Sequence, residues 1–237
     1  MERKLASIRR ISDLSPIEGA DKIELATIDG WKVVVAKDVN HKVGDLIVYC
    51  EVDSFLPIRE DFEFLRKSSY KKMADGNEGF RLKTIKLRGQ ISQGLIVPLD
   101  VLLKHGVSSD DVFEGLDVTG TLGIIKYEPP VPAQLAGQVK GMFPSFLKKT
   151  DEERIQNLAK EFPIYKLAKF YVTEKLDGSS VTYYVKDGVF GVCSRNLDLL
   201  EDENNKIIYF MIHIFSNNNF PSVDCCQLNF ISPFDWT

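Results

Sequence analysis

Lys175-Leu176-Asp177-Gly178 is the stretch of this chain whose residue types and spacing could do covalent chemistry. A lysine at a strand end, partly desolvated and near other cations, gives up its proton and becomes a nucleophile. Asp177, two residues on, leans to the same side of a strand as Lys175. There it can orient the ammonium or hold a metal-bound water. Gly178 lets the backbone turn tightly and approach a ligand. The same four residues also spell a plain hairpin with an Asp-Gly turn after an exposed lysine. Alone, they do not choose between the two.

A second candidate lies in the first half. Between residues 66 and 104, nine basic residues (Arg66, Lys67, Lys71, Lys72, Arg81, Lys83, Lys86, Arg88 and Lys104) meet three acids, Asp75, Glu78 and Asp100. On alternating strand positions such charges line one face and could follow a phosphate backbone, with Arg81, Lys83, Lys86 and Arg88 as the candidate contacts. A solvated outer face would read the same way. The net charge of −4 argues against coating nucleic acid by bulk charge but leaves a local basic groove open. The four cysteines (Cys50, Cys193, Cys225, Cys226) show no C-x-x-C pair and no zinc-like spacing with His41, His105 or His213. They read as reduced intracellular thiols, with no compartment specified. No apolar run reaches the roughly 18–20 residues of a membrane span. Met1-Glu2-Arg3-Lys4 leads into no apolar signal segment, so no membrane partner is expected, and no protein partner is evident.

The elements that must position these residues are mostly strands. At 237 residues, with 44% hydrophobic and 27% charged, the chain is comfortable for two globular domains. Segments rich in β-branched and apolar residues at 5–11, 31–35, 46–50, 80–87 and 91–97 predict short strands. Ser15-Pro16 is expected to break the first, and Asp29-Gly30 to turn into the second. One short helix is expected over 100–105, stopped by Gly106. Five or six strands with few helices suggest a small barrel of the oligonucleotide-binding (OB) size. Glu128-Pro129-Pro130-Val131-Pro132 opens an extended linker. Thr150-Asp151-Glu152-Glu153 fits a capping box for a helix running to about residue 160. A strand over 170–176 then turns at Asp177-Gly178 into 180–185, and Asp187-Gly188 turns again into 189–193. The expected division is an OB-like nucleic-acid-binding domain at 1–128, a linker at 129–142, a second domain at 143–206 and a tail at 207–237.

Cys193-Ser194-Arg195-Asn196 ends the next strand but one after the lysine, and with it the chain resembles the covalent nucleotidyltransferases, the superfamily of nucleic-acid ligases and capping enzymes. Lys175-Leu176-Asp177-Gly178 looks like the nucleophile motif and Ser194-Arg195-Asn196 like the motif that follows it. The match is closer to ATP-dependent RNA ligases that join 3′-OH and 5′-phosphate ends and carry an OB-like domain in front. Gly19-Ala20-Asp21-Lys22-Ile23-Glu24-Leu25-Ala26, residues 44–57, Leu87-Arg88-Gly89-Gln90-Ile91-Ser92-Gln93-Gly94 and residues 143–157 carry that resemblance further. It implies a mainly β fold with some helix (α+β). An OB-like barrel would be followed by the first part of an adenylyltransferase (ATP-grasp-like nucleotidyltransferase) domain. It implies ATP and Mg2+ or Mn2+ as cofactors and RNA with 5′-phosphate and 3′-hydroxyl ends as partner. It implies Lys175 as the nucleophile that carries AMP, with Asp177 assisting through a metal-bound water. Arg195 would contact the nucleotide or a 5′-phosphate, Glu174 would line the adenine pocket through its backbone, and Gly178 would be one of the nucleotide-binding residues.

The later motifs of that family have no counterpart after Lys175. Residues 207–237 hold no Lys, Arg, Glu, Gly or Ala and five phenylalanines, unlike everything before them. The tail is therefore expected to be non-homologous, the sheet carrying Lys175 to have an uncovered edge, and the ligase to be a truncated and catalytically impaired copy. Residues 207–215 are the β-prone hazard within the tail. The competing class is a nucleic-acid-binding OB module without catalysis, since Ala20-Asp21-Lys22 also resembles tRNA-binding OB domains. Adenylylation of Lys175 separates the two.

Overall fold

The computed structural model describes residues 3–73, 75–131, 133–135, 137–149, 154–172, 179–200 and 225–232. For Gln134, Ser179, Ser180 and 225–232 it describes the backbone alone. Two compact units emerge: Met1–Pro129 with Asp151–Ala168, and Pro130–Thr150 with Lys169–Thr237.

In the first unit, β1 (Ala6–Arg10), β2 (Asp13–Pro16), β3 (Ile23–Ile28) and β4 (Trp31–Ala36) precede β5 (Leu46–Cys50) and β6 (Ser54–Pro57). Then come β7 (Tyr70–Lys72), β8 (Glu78–Arg81), β9 (Ile85–Leu87), β10 (Gln90–Ser92), β11 (Leu95–Val97) and β12 (Ile125–Lys126). They form sheets in the orders β1-β5-β11, β2-β3-β4 and β12-β6-β8-β7, with β9 and β10 as a separate ribbon. The apolar run of β5 has no polar face, as a strand covered on both sides requires. Val48 and Cys50 enter one core with Ile8, Leu56, Phe62 and Phe80, while Ile47 and Tyr49 enter a second with Ile28, Trp31 and Val33. In β4 the alternation is plain: Trp31, Val33 and Val35 are buried, and Lys32 and Ala36 are exposed.

Three expectations change here. Ser15-Pro16 does not break the first strand, which ends at Arg10, but lies in β2, where Pro16 sits opposite Glu24 at the end of an edge strand that tolerates a missing N–H. The strand expected over 80–87 is two strands, because Leu82 turns inward, donates its N–H to Ser54 O (2.9 Å) and accepts from Asp53 N (2.9 Å). The strand expected over 91–97 is also divided, at Gln93-Gly94, where the Tyr49 hydroxyl donates to Gln93 O at 2.9 Å.

The helix expected to end near residue 160 is a 3-10 helix at Ile155–Glu161 followed by a single α turn at Phe162–Tyr165. Its expected cap, Thr150 to Glu153, lies outside the described residues. Residues 154–168 are grouped with the front unit, not with the rest of 143–206.

The second unit is one antiparallel sheet. β13 (Val139–Met142), β14 (Ser179–Lys186), β15 (Val189–Ser194), β16 (Leu197–Leu199) and β17 (Cys225–Ser232) take the order β13-β16-β15-β14-β17. β14 and β15 join through Asp187 (φ 52°) and Gly188 (φ 74°), two left-handed residues that match the twist of a tight hairpin. The expected open edge is filled: β17 pairs with β14 along its whole length, from Ser179 opposite Ser232 to Lys186 opposite Cys225. Residues 207–215 lie outside the described residues. Residues 170–172, expected in a strand, join no ladder, and the Tyr171 side chain is 99% exposed. Among the described residues no helix is long and apolar enough to cross a membrane.

Candidate functional site

Glu174, Lys175, Asp177 and Gly178 lie outside the described residues. The residues that bracket them are described. β14 begins at Ser179, directly after Gly178, and its pairing puts Val181 opposite Ser194. Arg195 and Asn196 form the exposed turn from β15 into β16, at the end of the sheet where β14 begins. Antiparallel pairing thus returns Arg195 to the chain entry of β14, although the two stretches are well separated in sequence.

Behind this end of the sheet sits a buried polar cluster that the sequence patterns did not single out. The Tyr184 hydroxyl donates to Asp198 at 2.9 Å (Oδ2) and 3.1 Å (Oδ1), and the Cys193 thiol donates to Oδ1 at 3.7 Å. Burial pushes the Cys193 thiol up to about 12, with the Asp198 charge adding to it. Burial also raises the Tyr184 hydroxyl, and its bond to Asp198 raises it further. Both donors therefore stay protonated at neutral pH, and the cluster braces β14, β15 and β16. The signal available in sequence was an acid between two leucines, Leu197-Asp198-Leu199, on a short strand.

In the first unit the four candidate nucleic-acid contacts separate. Arg81 ends β8, stacks over the Tyr127 ring at 4.2 Å and pairs with Asp53 at 3.5 Å. Lys83 lies in the exposed link to β9, Lys86 lies at the centre of β9, and Arg88 lies in the turn into β10. The structure therefore brings Lys83, Lys86 and Arg88 to one ribbon and leaves Arg81 in a packed ion pair.

Residues 154–168 bring further groups to the front unit. Trp31 Nε1 donates to Asn157 Oδ1 at 2.6 Å, and Asn157 Nδ2 donates to Glu51 Oε1 at 2.9 Å. The other Glu51 oxygen accepts from Arg3 at 2.7 Å. Arg154 lies 5.7 Å over the Trp31 ring and 3.5 Å from Asp53. Lys160 pairs with Glu114 and Asp29. Gly30 donates its N–H to Gln156 O at 2.9 Å, and a Cβ at residue 30 would stand 2.7 Å from Gln156 Cα. Only glycine permits that approach. Among the described residues no group of three or more His, Cys, Asp or Glu is placed to hold a metal ion. The expected metal contact, Asp177, is not among them.

An OB-fold domain model matches residues 5–99. No curated protein matches. Among solved structures, an RNA ligase from Naegleria gruberi with AMP and Mn is 40% identical, with a TM-score of 0.69, and covers 97% of this chain and 67% of its own. The chain belongs to this RNA ligase family. An apo variant of the same Naegleria ligase gives 41% identity and a TM-score of 0.71, covering 96% of this chain and 66% of its own. A variant with ATP and Mn gives 42% and 0.67, covering 95% and 66%. The chain thus spans just under two thirds of the length of the apo variant. A match over 97% of this chain also runs past residue 206, into the segment the sequence sets apart. The fold class is that expected: mainly β with few helices, an OB fold in front.

Proposed function

We propose that this chain is a ligase-family enzyme that forms a lysyl-AMP on Lys175 and, as a truncated copy, is impaired in completing the ATP-dependent joining of RNA ends. The observation that supports this most is the 40% identity to an RNA ligase across 97% of the chain. The Lys175 amine loses its proton and attacks the α-phosphorus of ATP. A Pα–N bond forms as the bond to pyrophosphate breaks, leaving AMP on the lysine as a phosphoramidate. An oxygen of an RNA 5′-phosphate then displaces the lysine, which recovers a proton. In the family's last step, the one in which the truncated copy is impaired, the 3′-hydroxyl of a second end loses its proton and attacks that 5′-phosphate, and AMP leaves.

Arg195, exposed at the chain entry of β14, is assigned to the nucleotide or the 5′-phosphate, for which a guanidinium offers two parallel donors. Glu174 is assigned to the adenine pocket, Gly178 to the nucleotide, and Asp177 to the water of a divalent ion. That ion, Mg2+ or Mn2+, supplies charge neutralisation on the phosphates when bound. The RNA carries a 5′-phosphate and a 3′-hydroxyl.

Incubation with α-labelled ATP and magnesium tests the reading. The protein is expected to take up acid-labile label that Lys175→Ala abolishes. Label that survives this substitution, or no label on the unsubstituted chain, overturns it.

A further inference from the structure

We propose that the ribbon β9–β10 is an RNA contact surface, in which Lys83, Lys86 and Arg88 bind backbone phosphates while Ile91, on the face of Lys86, lies against ribose. The choice of RNA as the polyanion rests on the ligase reading. The surface itself rests on four observations of the front unit.

The first is charge. From residue 79 to residue 99 there are four cations and no acid. The second is pairing. Of the other six cations in the basic stretch, four are paired: Arg66 meets Glu63 at 2.6 Å, Lys72 meets Glu78 at 3.2 Å, Lys104 meets Asp61 at 2.9 Å and Arg81 meets Asp53 at 3.5 Å. Lys67 and Lys71, which lie outside the ribbon, enter no ion pair among the described residues. Lys83, Lys86 and Arg88 are exposed and enter no ion pair among the described residues. A local field of three unneutralised cations attracts a polyanion and releases its counterions on binding.

The third is exposed apolar surface on the same small element. Ile91 is 52% exposed and stands directly across from Lys86, whereas Ile85 and Leu87 alternate to the other face of the ribbon. Directly opposed residues share a face, so cation and apolar group are presented together. Ile91 is aliphatic, which gives no stacking platform for a base but packs on a sugar. The fourth is rigidity. Arg88 (φ 46°) and Gly89 (φ 84°) make the tight turn whose twist matches its strands. At the other end, Val34 N donates to Ser92 Oγ at 3.0 Å and Gln93 N to Lys32 O at 2.8 Å, which fixes the ribbon on β4. A ribbon held at its base and closed at its tip offers its cations at little entropic cost.

Lysine on an exposed strand edge also discourages pairing with other chains, and the test separates that role from RNA binding. The full chain is titrated with a fluorescent, 5′-phosphorylated RNA by anisotropy between 50 and 200 mM KCl. Combined Lys83→Ala, Lys86→Ala and Arg88→Ala is expected to weaken binding roughly tenfold or more at low salt. It should also flatten the slope of log K against log salt by about 0.7–0.9 for each phosphate no longer neutralised. Ile91→Ser is expected to weaken binding while leaving the slope unchanged. Unchanged circular dichroism checks the fold. A triple variant that keeps the affinity and slope of the unsubstituted chain overturns the proposal, as does a chain that binds no RNA. Lysyl-AMP formation is read separately without RNA. Its absence overturns the ligase reading, whereas loss of the ribbon effect with labelling intact overturns only this one.

Discussion

Trp31 and Glu51 are both buried and both depend on Asn157, which accepts from the indole and donates to the carboxylate. Truncating Asn157 leaves the buried indole N–H and one Glu51 oxygen without their partner at once, while Arg3 still holds the other oxygen. Asn157→Ala is expected to lower the stability of the front unit by about 2–3 kcal/mol, read as a shift of the urea midpoint by circular dichroism. A shift worth less than about 0.5 kcal/mol, the range of an ordinary surface change, would show that water replaces the amide at both ends. No local rule could have named Asn157 from sequence. Its partners stand 126 and 106 residues away, and its own neighbourhood is a polar helical turn. Lys83, Lys86 and Arg88 were legible as cations, but not as distinct from Arg81. That distinction is made by Asp53, in the turn before β6, and Tyr127, just after β12.

At the scale of elements, the strands that can be read from sequence are those with one dominant pattern. β5 is a continuous apolar run, β4 alternates, and the β14–β15 hairpin carries its Asp-Gly turn between them. The misread boundaries, at 82–84 and at 93–94, fall where an inward residue or a tyrosine hydroxyl captures the ladder's hydrogen bonds from outside the segment. The segment 154–168 is the largest departure, since its helical signal says nothing of which unit it covers. Its contacts with Gly30, Trp31, Glu51 and Glu114 make it part of the front unit's structure. Residues 1–129 alone are therefore expected to unfold at lower urea than residues 1–168. The difference should shrink when Asn157→Ala is placed in the longer piece. Equal midpoints for the two pieces would show that the segment contributes nothing to the barrel.

Across the whole molecule, two compact units with separate cores favour independent loss of structure. Scanning calorimetry is expected to resolve two transitions, of which Asn157→Ala moves one. A single transition shifted as a block would show that the units melt together. The first unit is also discontinuous along the chain, and this has a consequence in time. The ribosome adds roughly 5–20 residues per second, and domains fold as they emerge. Every strand of the barrel is made by Pro129, yet Asn157 and Lys160 follow only after a stretch that belongs to the other unit. For a period on the order of seconds, the nascent barrel presents the Trp31 indole and the Glu51 carboxylate with no asparagine between them. During translation, that open seat is the place where a holdase would find this protein first.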